Sequence, residues 1–379
     1  MSLDNQDRAY MARAIQLAKK GRYTTSPNPN VGCVIVRDGC IVGEGYHYRA
    51  GEPHAEVHAL AQAGEQAKGA TAYVTLEPCS HYGRTPPCAK ALTEAGVARV
   101  VAAMVDPNPQ VAGRGLRMLA DAGIEVSDGL LAADARALNP GFIKRMETGL
   151  PYVTLKTAIS LDGRTAMANG ESFWITGEAA RSDVQRERAA SCAILTGAGT
   201  VEIDDPALTV RASQLGLDNA DDIAKRQPLR VILDSRLRTS PVSKVVTGNG
   251  SVLIVTTDTM AKTASADTLR TAGVEIVTCP HGETGFDLEA VLVYLANHKS
   301  VNSLLVEAGA QVCGSFVRLG LVDELLVYQA PVLMGSDARP MLDLPFEHMI
   351  QRLHLALVDS RMVGQDLRRR FKIVPASEE

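Results

Sequence analysis

A chain of 379 residues is long enough for about two domains, each with its own core. With 46% hydrophobic and 22% charged residues it has the balance of a soluble globular protein, and a formal net charge of −4 gives no electrostatic basis for nucleic-acid binding. No apolar run approaches the ~18 residues of a membrane span, Met1–Asp7 is polar and acidic rather than a signal peptide, and seven cysteines in so long a chain fit a reducing cytoplasm better than a disulfide framework.

Residues 4–20 put Tyr10, Ala14, Leu17 and Ala18 on one helical face, and Gly21 ends that helix. Thr24–Asn30 is a loop of turn-forming residues. Strands follow over 31–37 and 40–45, joined by Asp38-Gly39, a strong hairpin turn. A helix over 54–65 leads to a strand over 71–76 that delivers Glu77-Pro78-Cys79. Helices at 88–94 and 114–122 alternate with strands at 99–105 and 124–126, which predicts a largely parallel sheet with helices on its faces. Residues 127–150 are helical, loosening at Asn139-Pro140-Gly141 and Thr148-Gly149-Leu150-Pro151, which places a boundary between domains 1–149 and 150–379.

A second α/β pattern follows. Strands are predicted at 152–157, 193–196, 229–233, 252–256, 274–278, 303–307, 324–330, 354–359 and 367–374, and helices at 178–190, 260–272, 287–298 and 310–319. The polar segment 212–228, with Asp218, Asp221 and Asp222, reads as an exposed loop. There is no internal repeat.

The first domain carries the clearest chemistry. His54-Ala55-Glu56, then Pro78-Cys79 and Cys88, offer one imidazole and two thiolates, a donor set suited to Zn²⁺. Three protein ligands leave the fourth tetrahedral position open for water, whereas a closed structural site needs four. Glu56 is better placed to move protons than to bind metal. The order matches the zinc nucleobase deaminases, His-x-Glu and then Pro-Cys and a further Cys. Two residues usually separate the cysteines in that pattern; here there are eight, Ser80–Pro87, which read as a pocket wall rich in donors (Ser80, His81, Arg84, Thr85). His58 shares a helical face with His54, but the metalloprotease pattern needs Glu directly after the first His, and Ala55 stands there. His58 is therefore a packing or outer residue. A lone Cys or His is more often structural; the argument rests on the combination.

The second domain has glycines at strand-to-helix junctions: Thr196-Gly197-Ala198-Gly199-Thr200 and Val306-Glu307-Ala308-Gly309. Bare backbone there lets a phosphate approach helix N–H groups. The dinucleotide fingerprint is absent, because Glu202 occupies the third glycine position, and Gly113-Arg114-Gly115 fails likewise at Met118. Lone glycine pairs are weak signals, and without other support tight turns are their commoner explanation.

Pro27-Asn28-Pro29-Asn30-Val31-Gly32, His54-Ala55-Glu56, Glu77-Pro78-Cys79-Ser80-His81 and Gly83-Arg84-Thr85-Pro86-Pro87-Cys88 together resemble the bifunctional deaminase/reductase family of riboflavin biosynthesis. So do Ser160-Leu161-Asp162-Gly163-Arg164, Asp204-Asp205-Pro206-Ala207-Leu208-Thr209 and Val306-Glu307-Ala308-Gly309, in the family's order along nearly the whole chain. The resemblance implies a cytidine-deaminase-like three-layer α/β/α domain and a dihydrofolate-reductase-like α/β domain. It implies hydrolytic deamination of 2,5-diamino-6-ribosylamino-4(3H)-pyrimidinone 5′-phosphate, then reduction of the ribosyl chain to ribityl with NADPH. His54, Cys79 and Cys88 would hold Zn²⁺, with Glu56 as the catalytic acid/base. NADPH would meet Ala158, Trp174, Thr200, Asp204 and the turn Gly309, Ala310, Gln311, Val312, Cys313, Gly314, Ser315. Substrate would meet Ser172, Arg188, Leu208, Arg211 and Glu307, with Arg188 and Arg211 suited to its phosphate. Ala158 stands where some relatives have glycine, which limits its contact to backbone. Lys156 and Asp204 both remain open as proton sources. A cytoplasmic homo-oligomer, dimer or tetramer, is expected, acting on a small phosphorylated pyrimidine. A nucleic-acid or nucleoside deaminase with an accessory ligand-binding domain shares the zinc site, but a nucleic-acid enzyme calls for a basic surface. A zinc-binding interaction module leaves Glu56 idle, and neither half shows the lost motif of a dead domain.

Overall fold

A computed structural model describes residues 4–80, 87–282 and 285–374, which fall into two units, one up to Leu150 and one from Pro151. In the first, the helix Asn5–Ala18 begins at a capping box: Asp4 accepts from the Gln6 and Asp7 amides, and Asp7 accepts from the Asp4 amide. Asp7 also accepts from the Tyr73 hydroxyl at 2.6 Å and from Arg99 at 3.0 Å, tying the helix start to two strands.

The first sheet runs Cys40–Tyr46, Gly32–Arg37, Thr71–Val74, Arg99–Ala102, Glu125–Ser127. It is mixed, not largely parallel: Gly32–Arg37 is antiparallel to both its neighbours, and only the last three strands are parallel. The two-residue turn forces this, since Asp38 and Gly39 both take positive φ and reverse the chain at once. Gly32–Arg37 then sits between the two strands that the next helix connects. Alternate residues of this strand serve opposite faces. Cys33 and Ile35 pack with Ala59, Leu92 and Val100, and Val34 and Val36 with Met11, Ile15 and Ile143. Each such fully buried aliphatic side chain is worth about 1.5–3 kcal/mol. The result is a three-layer α/β/α unit.

One feature of this packing positions a site. Ala55, Ala59 and Ala63, at helical spacing, are buried against Gly43 and Gly45. A Cβ on Gly43 would come within 2.1 Å of the Ala59 carbonyl oxygen, and one on Gly45 within 2.2 Å of that of Ala55. Only glycine lets the helix Ala55–Ala63 seat this closely on the strand.

Asn139-Pro140-Gly141 is not a loosening. It joins two helices, Ala132–Leu138 and Pro140–Thr148, with proline in the first turn of the second. Asn139 is buried and pairs with Asn30 like a strand neighbour: its Oδ1 accepts from the Asn30 amide at 2.6 Å, and its Nδ2 donates to the Asn30 carbonyl at 2.9 Å. That clamp fixes the end of the loop before the central strand.

The second unit is built on nine strands in the order Glu275–Thr278, Val252–Thr256, Leu229–Leu233, Ala193–Gly197, Ser303–Val306, Tyr152–Ile159, Glu324–Gln329, Asp366–Val374, His354–Val363. The first seven are mutually parallel, and Asp366–Val374 runs antiparallel to both its neighbours, Glu324–Gln329 and His354–Val363. Strands buried on both faces, such as Ala193–Gly197 and Val252–Thr256, read as continuous apolar runs, as parallel sheets require. In Tyr152–Ile159 every second residue is buried, leaving Lys156 and Ala158 on the more open face. Segment 212–228 is not an exposed loop. It holds the short helix Ala220–Ala224 and buries Leu215 and Ile223. Among the described residues no helix is long and apolar enough to cross a membrane.

Candidate active sites

In the first unit His54 is the N-cap of the helix Ala55–Ala63, and Cys88 opens the helix Cys88–Glu94. The His54 Nδ1 lies 3.3 Å from the Cys88 Sγ and 3.7 Å from the Cys79 Sγ, and the three donor atoms fall within 4.8 Å of one another. Cys79 is held by the second helix start, its Sγ accepting from the Cys88 amide at 3.3 Å and its carbonyl from the Ala89 amide at 3.2 Å. Helix N-termini favour thiolates. Two sulfurs this close cannot both ionise unaided. The hydrogen bond from Cys88 holds the Cys79 thiol down at about 4, and that bond together with burial pushes Cys88 well up. A dication relieves the competition by binding both as thiolates, so imidazole plus two sulfurs fits zinc on its own chemistry.

Glu56 lies in the first turn of the same helix as His54, only 3% exposed. Among the described residues its Oε2 has no hydrogen-bond partner, and burial pushes its carboxyl up to about 7. His47, not singled out by the sequence, stands edge-on to His54 with ring centroids 5.1 Å apart. It is anchored through Nδ1 to the Pro53 carbonyl and through Nε2 to Asn28, and burial keeps it below the usual histidine range. The Thr24–Asn30 loop thus walls the site as well as turning the chain. His58 is exposed rather than packed. Of the expected pocket wall, residues 81–86 lie outside the described residues.

In the second unit the candidates gather at the carboxyl ends of the parallel strands, where open α/β sheets bind ligands. Glu307, just past Ser303–Val306, accepts from Arg188 at 2.6 and 3.0 Å and from the Lys156 Nζ at 3.4 Å. Burial alone would raise its carboxyl, but Arg188 and Lys156 outweigh that and hold it at about 2. Ser172 donates to the Asp204 Oδ1 at 2.9 Å. Thr200, in the helix Ala198–Asp204, lies across from Gly309. Gly309 starts the helix Ala310–Arg318, which no side chain caps.

Other candidates sit differently. Leu208 is buried with Ile194, Val201 and Ile232 in the core beneath the site. Cys313 is buried, and Gly314 packs under the chain at Asp343, whose carbonyl oxygen a Cβ would approach to 2.2 Å. Ala310, Gln311, Val312 and Ser315 complete that helix start. Trp174 is 68% exposed, with the Arg181 guanidinium 4.5 Å from its ring centroid. The Arg211 side chain is exposed, but its amide donates to Gln185 at 2.9 Å. Next to it Gln227 accepts from the Val210 amide and donates to the Val210 carbonyl. Gln185 and Gln227 brace this loop, and no local pattern marks them.

Comparison with known proteins agrees with this geometry. Residues 4–104 match the cytidine and deoxycytidylate deaminase zinc-binding region, and residues 151–368 the RibD C-terminal domain. The riboflavin biosynthesis protein RibD of Escherichia coli strain K12 is 55% identical over 366 residues, 96% of this chain and 98% of that protein. Its Haemophilus influenzae counterpart is 52% identical over 348 residues, 91% of each. A structure of Acinetobacter baumannii RibD superposes with a TM-score of 0.91 at 49% identity, covering 98% of this chain and 99% of that one. A Thermotoga maritima diaminohydroxyphosphoribosylaminopyrimidine deaminase/5-amino-6-(5-phosphoribosylamino)uracil reductase gives 0.83 at 33%, covering 97% and 99%. A cytidine-deaminase-like unit with a clustered imidazole–thiol site, joined to a dihydrofolate-reductase-like unit, is thus matched along almost its full length: the chain belongs to the RibD family, the bifunctional zinc-dependent deaminases and NADPH-dependent reductases of riboflavin biosynthesis.

Proposed function

We propose that residues 1–149 deaminate the diaminopyrimidinone ribosylamino 5′-phosphate and residues 150–379 reduce the product's ribosyl chain. The observation that carries the first half is the convergence of His54, Cys79 and Cys88 beside a buried, unpartnered Glu56 oxygen. His54, Cys79 and Cys88 would hold the zinc, which when bound acidifies water at its open position. Glu56 accepts a proton from the attacking water and returns it to the departing amine, so ammonia leaves and a ring carbonyl forms. Its burial suits that exchange, since a carboxyl kept from solvent passes between its two protonation states at little cost. One zinc per chain is expected. Elemental analysis of purified protein should read close to one equivalent and fall on Cys79→Ser; under half an equivalent, unchanged by that substitution, would reject the assignment.

In the second unit, NADPH when bound supplies the hydride. We place its pyrophosphate on Gly309–Val312 and Thr200, with Trp174, Ala158 and Asp204 along it. Cys313 and Gly314 face the protein, which limits them to backbone contact. Arg188 is committed to Glu307 by two bonds, so Arg211 is the better phosphate ligand and Arg188 a fixed support. Lys156 suits a proton donor better than Asp204, because its Nζ carries protons to give and is held in place by Glu307, whereas Asp204 accepts from Ser172.

The edge strand His354–Val363 supports an assembly of copies. It is paired on one side only and exposes Leu357 and Met362, near 60% each, beside Met349 and Ile350. Such an edge and apolar face call for cover. Leu357→Glu with Met362→Glu should halve the mass seen by light scattering while deamination persists; an unchanged mass would place the interface elsewhere. Seven free cysteines accord with a cytoplasmic location.

A further inference from the structure

We propose that Glu77 is the positioning residue that fixes Cys79 for the metal, through a nest of backbone amides supplied by the loop 106–116. The inference rests on reading Cys79 as a ligand. Glu77 is 3% exposed and has no cationic side-chain partner among the described hydrogen bonds and ion pairs. Its carboxylate is met instead by four amides. Oε2 accepts from Asp106 at 3.0 Å and Gly113 at 2.9 Å; Oε1 accepts from Gly115 at 2.8 Å and Leu116 at 3.3 Å. Three of these belong to the start of the helix Arg114–Asp121 or the residue before it, where N–H groups lack intrahelical partners. The same helix start closes on the next residue. A Cβ on Gly115 would fall 1.9 Å from the Pro78 carbonyl oxygen, so only glycine permits the contact.

Residues 77–79 are therefore gripped from two sides. Glu77 and Pro78 seat on the start of Arg114–Asp121, and Cys79 seats on the start of Cys88–Glu94 through its sulfur and carbonyl. The backbone adds a third fixing point, the Glu77 amide donating to the Met104 carbonyl at 3.0 Å. With the peptide on either side of Cys79 immobilised, its Sγ cannot swing from the His54 and Cys88 donors. The loop is itself stiffened by Asp106 and Asn108, which accept from the amides two residues on. This also gives a use to Gly113-Arg114-Gly115, a glycine pair with no cofactor fingerprint: its amides and its missing side chains serve the ligand loop.

The test measures metal retention, which a merely stabilising residue would not control. Purified wild type, Glu77→Gln and Gly115→Ala are loaded with one zinc, and transfer to a chromophoric chelator is followed. The amide of glutamine turns one acceptor into a donor facing N–H groups, and the alanine methyl strikes the Pro78 carbonyl and crowds the Glu77 Oε1 at 3.2 Å without removing the carboxylate. Both variants should release zinc ten- to a hundredfold faster, with NADPH-dependent reduction of the deaminated intermediate within twofold of wild type. Ile143→Ala, in the core on the opposite face of the sheet, should lower the melting temperature with no change in zinc transfer. Wild-type zinc transfer in a folded Glu77→Gln overturns the inference. So does equal acceleration in Ile143→Ala, or loss of fold in both loop variants, since either would make Glu77 a general support. Absence of zinc from the wild type would instead reject Cys79 as a ligand, an outcome the loading step reveals separately.

Discussion

Glu56→Gln should lower deamination by 10²–10⁴-fold, the range a positioned general acid–base contributes, and leave reduction nearly untouched. Glutamine keeps the size of the side chain and one oxygen but can neither take a proton from water nor give one to the amine. The side chain is buried in the first turn of the His54 helix, and its Oε2 makes no hydrogen bond to another described residue. Replacing it therefore breaks no structural hydrogen bond at that oxygen and adds no volume. Nothing in the second unit depends on this proton: Lys156, Glu307 and Arg188 form an ion-paired set of their own. Ammonia release from the diaminopyrimidinone phosphate measures the first activity. NADPH absorbance, with the deaminated intermediate supplied, measures the second. Equal loss of both would mean one shared site and would end the two-site reading. Retained deamination would remove Glu56 from the mechanism.

Gly309→Val should raise the dissociation constant for NADPH by tenfold or more, about 1.4 kcal/mol, in a protein that still folds and deaminates. From the sequence, this glycine had two equal explanations, a tight turn or room for a ligand. The backbone separates them. Gly309 has φ −71° and ψ 169°, an extended conformation open to any residue. A Cβ there would meet only the Thr200 Oγ1, at 3.9 Å, which is ordinary contact. The fold does not need glycine at this position, which leaves the space in front of an uncapped helix start as the use proposed for it above. Gly314, five residues on, is the contrast: a Cβ there strikes the backbone at Asp343, and Gly314→Ala should unfold the helix packing rather than the cofactor site. Titration of NADPH beside a circular-dichroism melt decides the matter. A folded Gly309→Val with unchanged NADPH affinity would move the cofactor elsewhere.

By itself the sequence determined most of the long helices and strands, the helix beginning at Cys88, the apolar strands of the second sheet, and which three donor side chains, His54, Cys79 and Cys88, belong together. These are local properties: hydrophobic period, turn chemistry at Asp38-Gly39, and donor types at a spacing few other chemistries need. It determined the reversal at Asp38-Gly39, but not which strand lies on the other side of Gly32–Arg37, nor the supports of either site. That neighbour depends on which strand the crossover helix skips, and the chain between two strands does not record that. Asn139 clamping Asn30, Gln227 bracing Val210 and Glu77 filling an amide nest span from 17 to 109 residues of separation, so no local window contains both partners. The same is true of Arg188, whose residue type suits a phosphate until the fold brings Glu307 within 2.6 Å and occupies it. Even 212–228, polar enough to read as loop, buries Leu215 and Ile223, because two apolar residues suffice once a surface is there to receive them. Local chemistry selects what each segment can do; only the packed chain decides which of those groups are left free to do it.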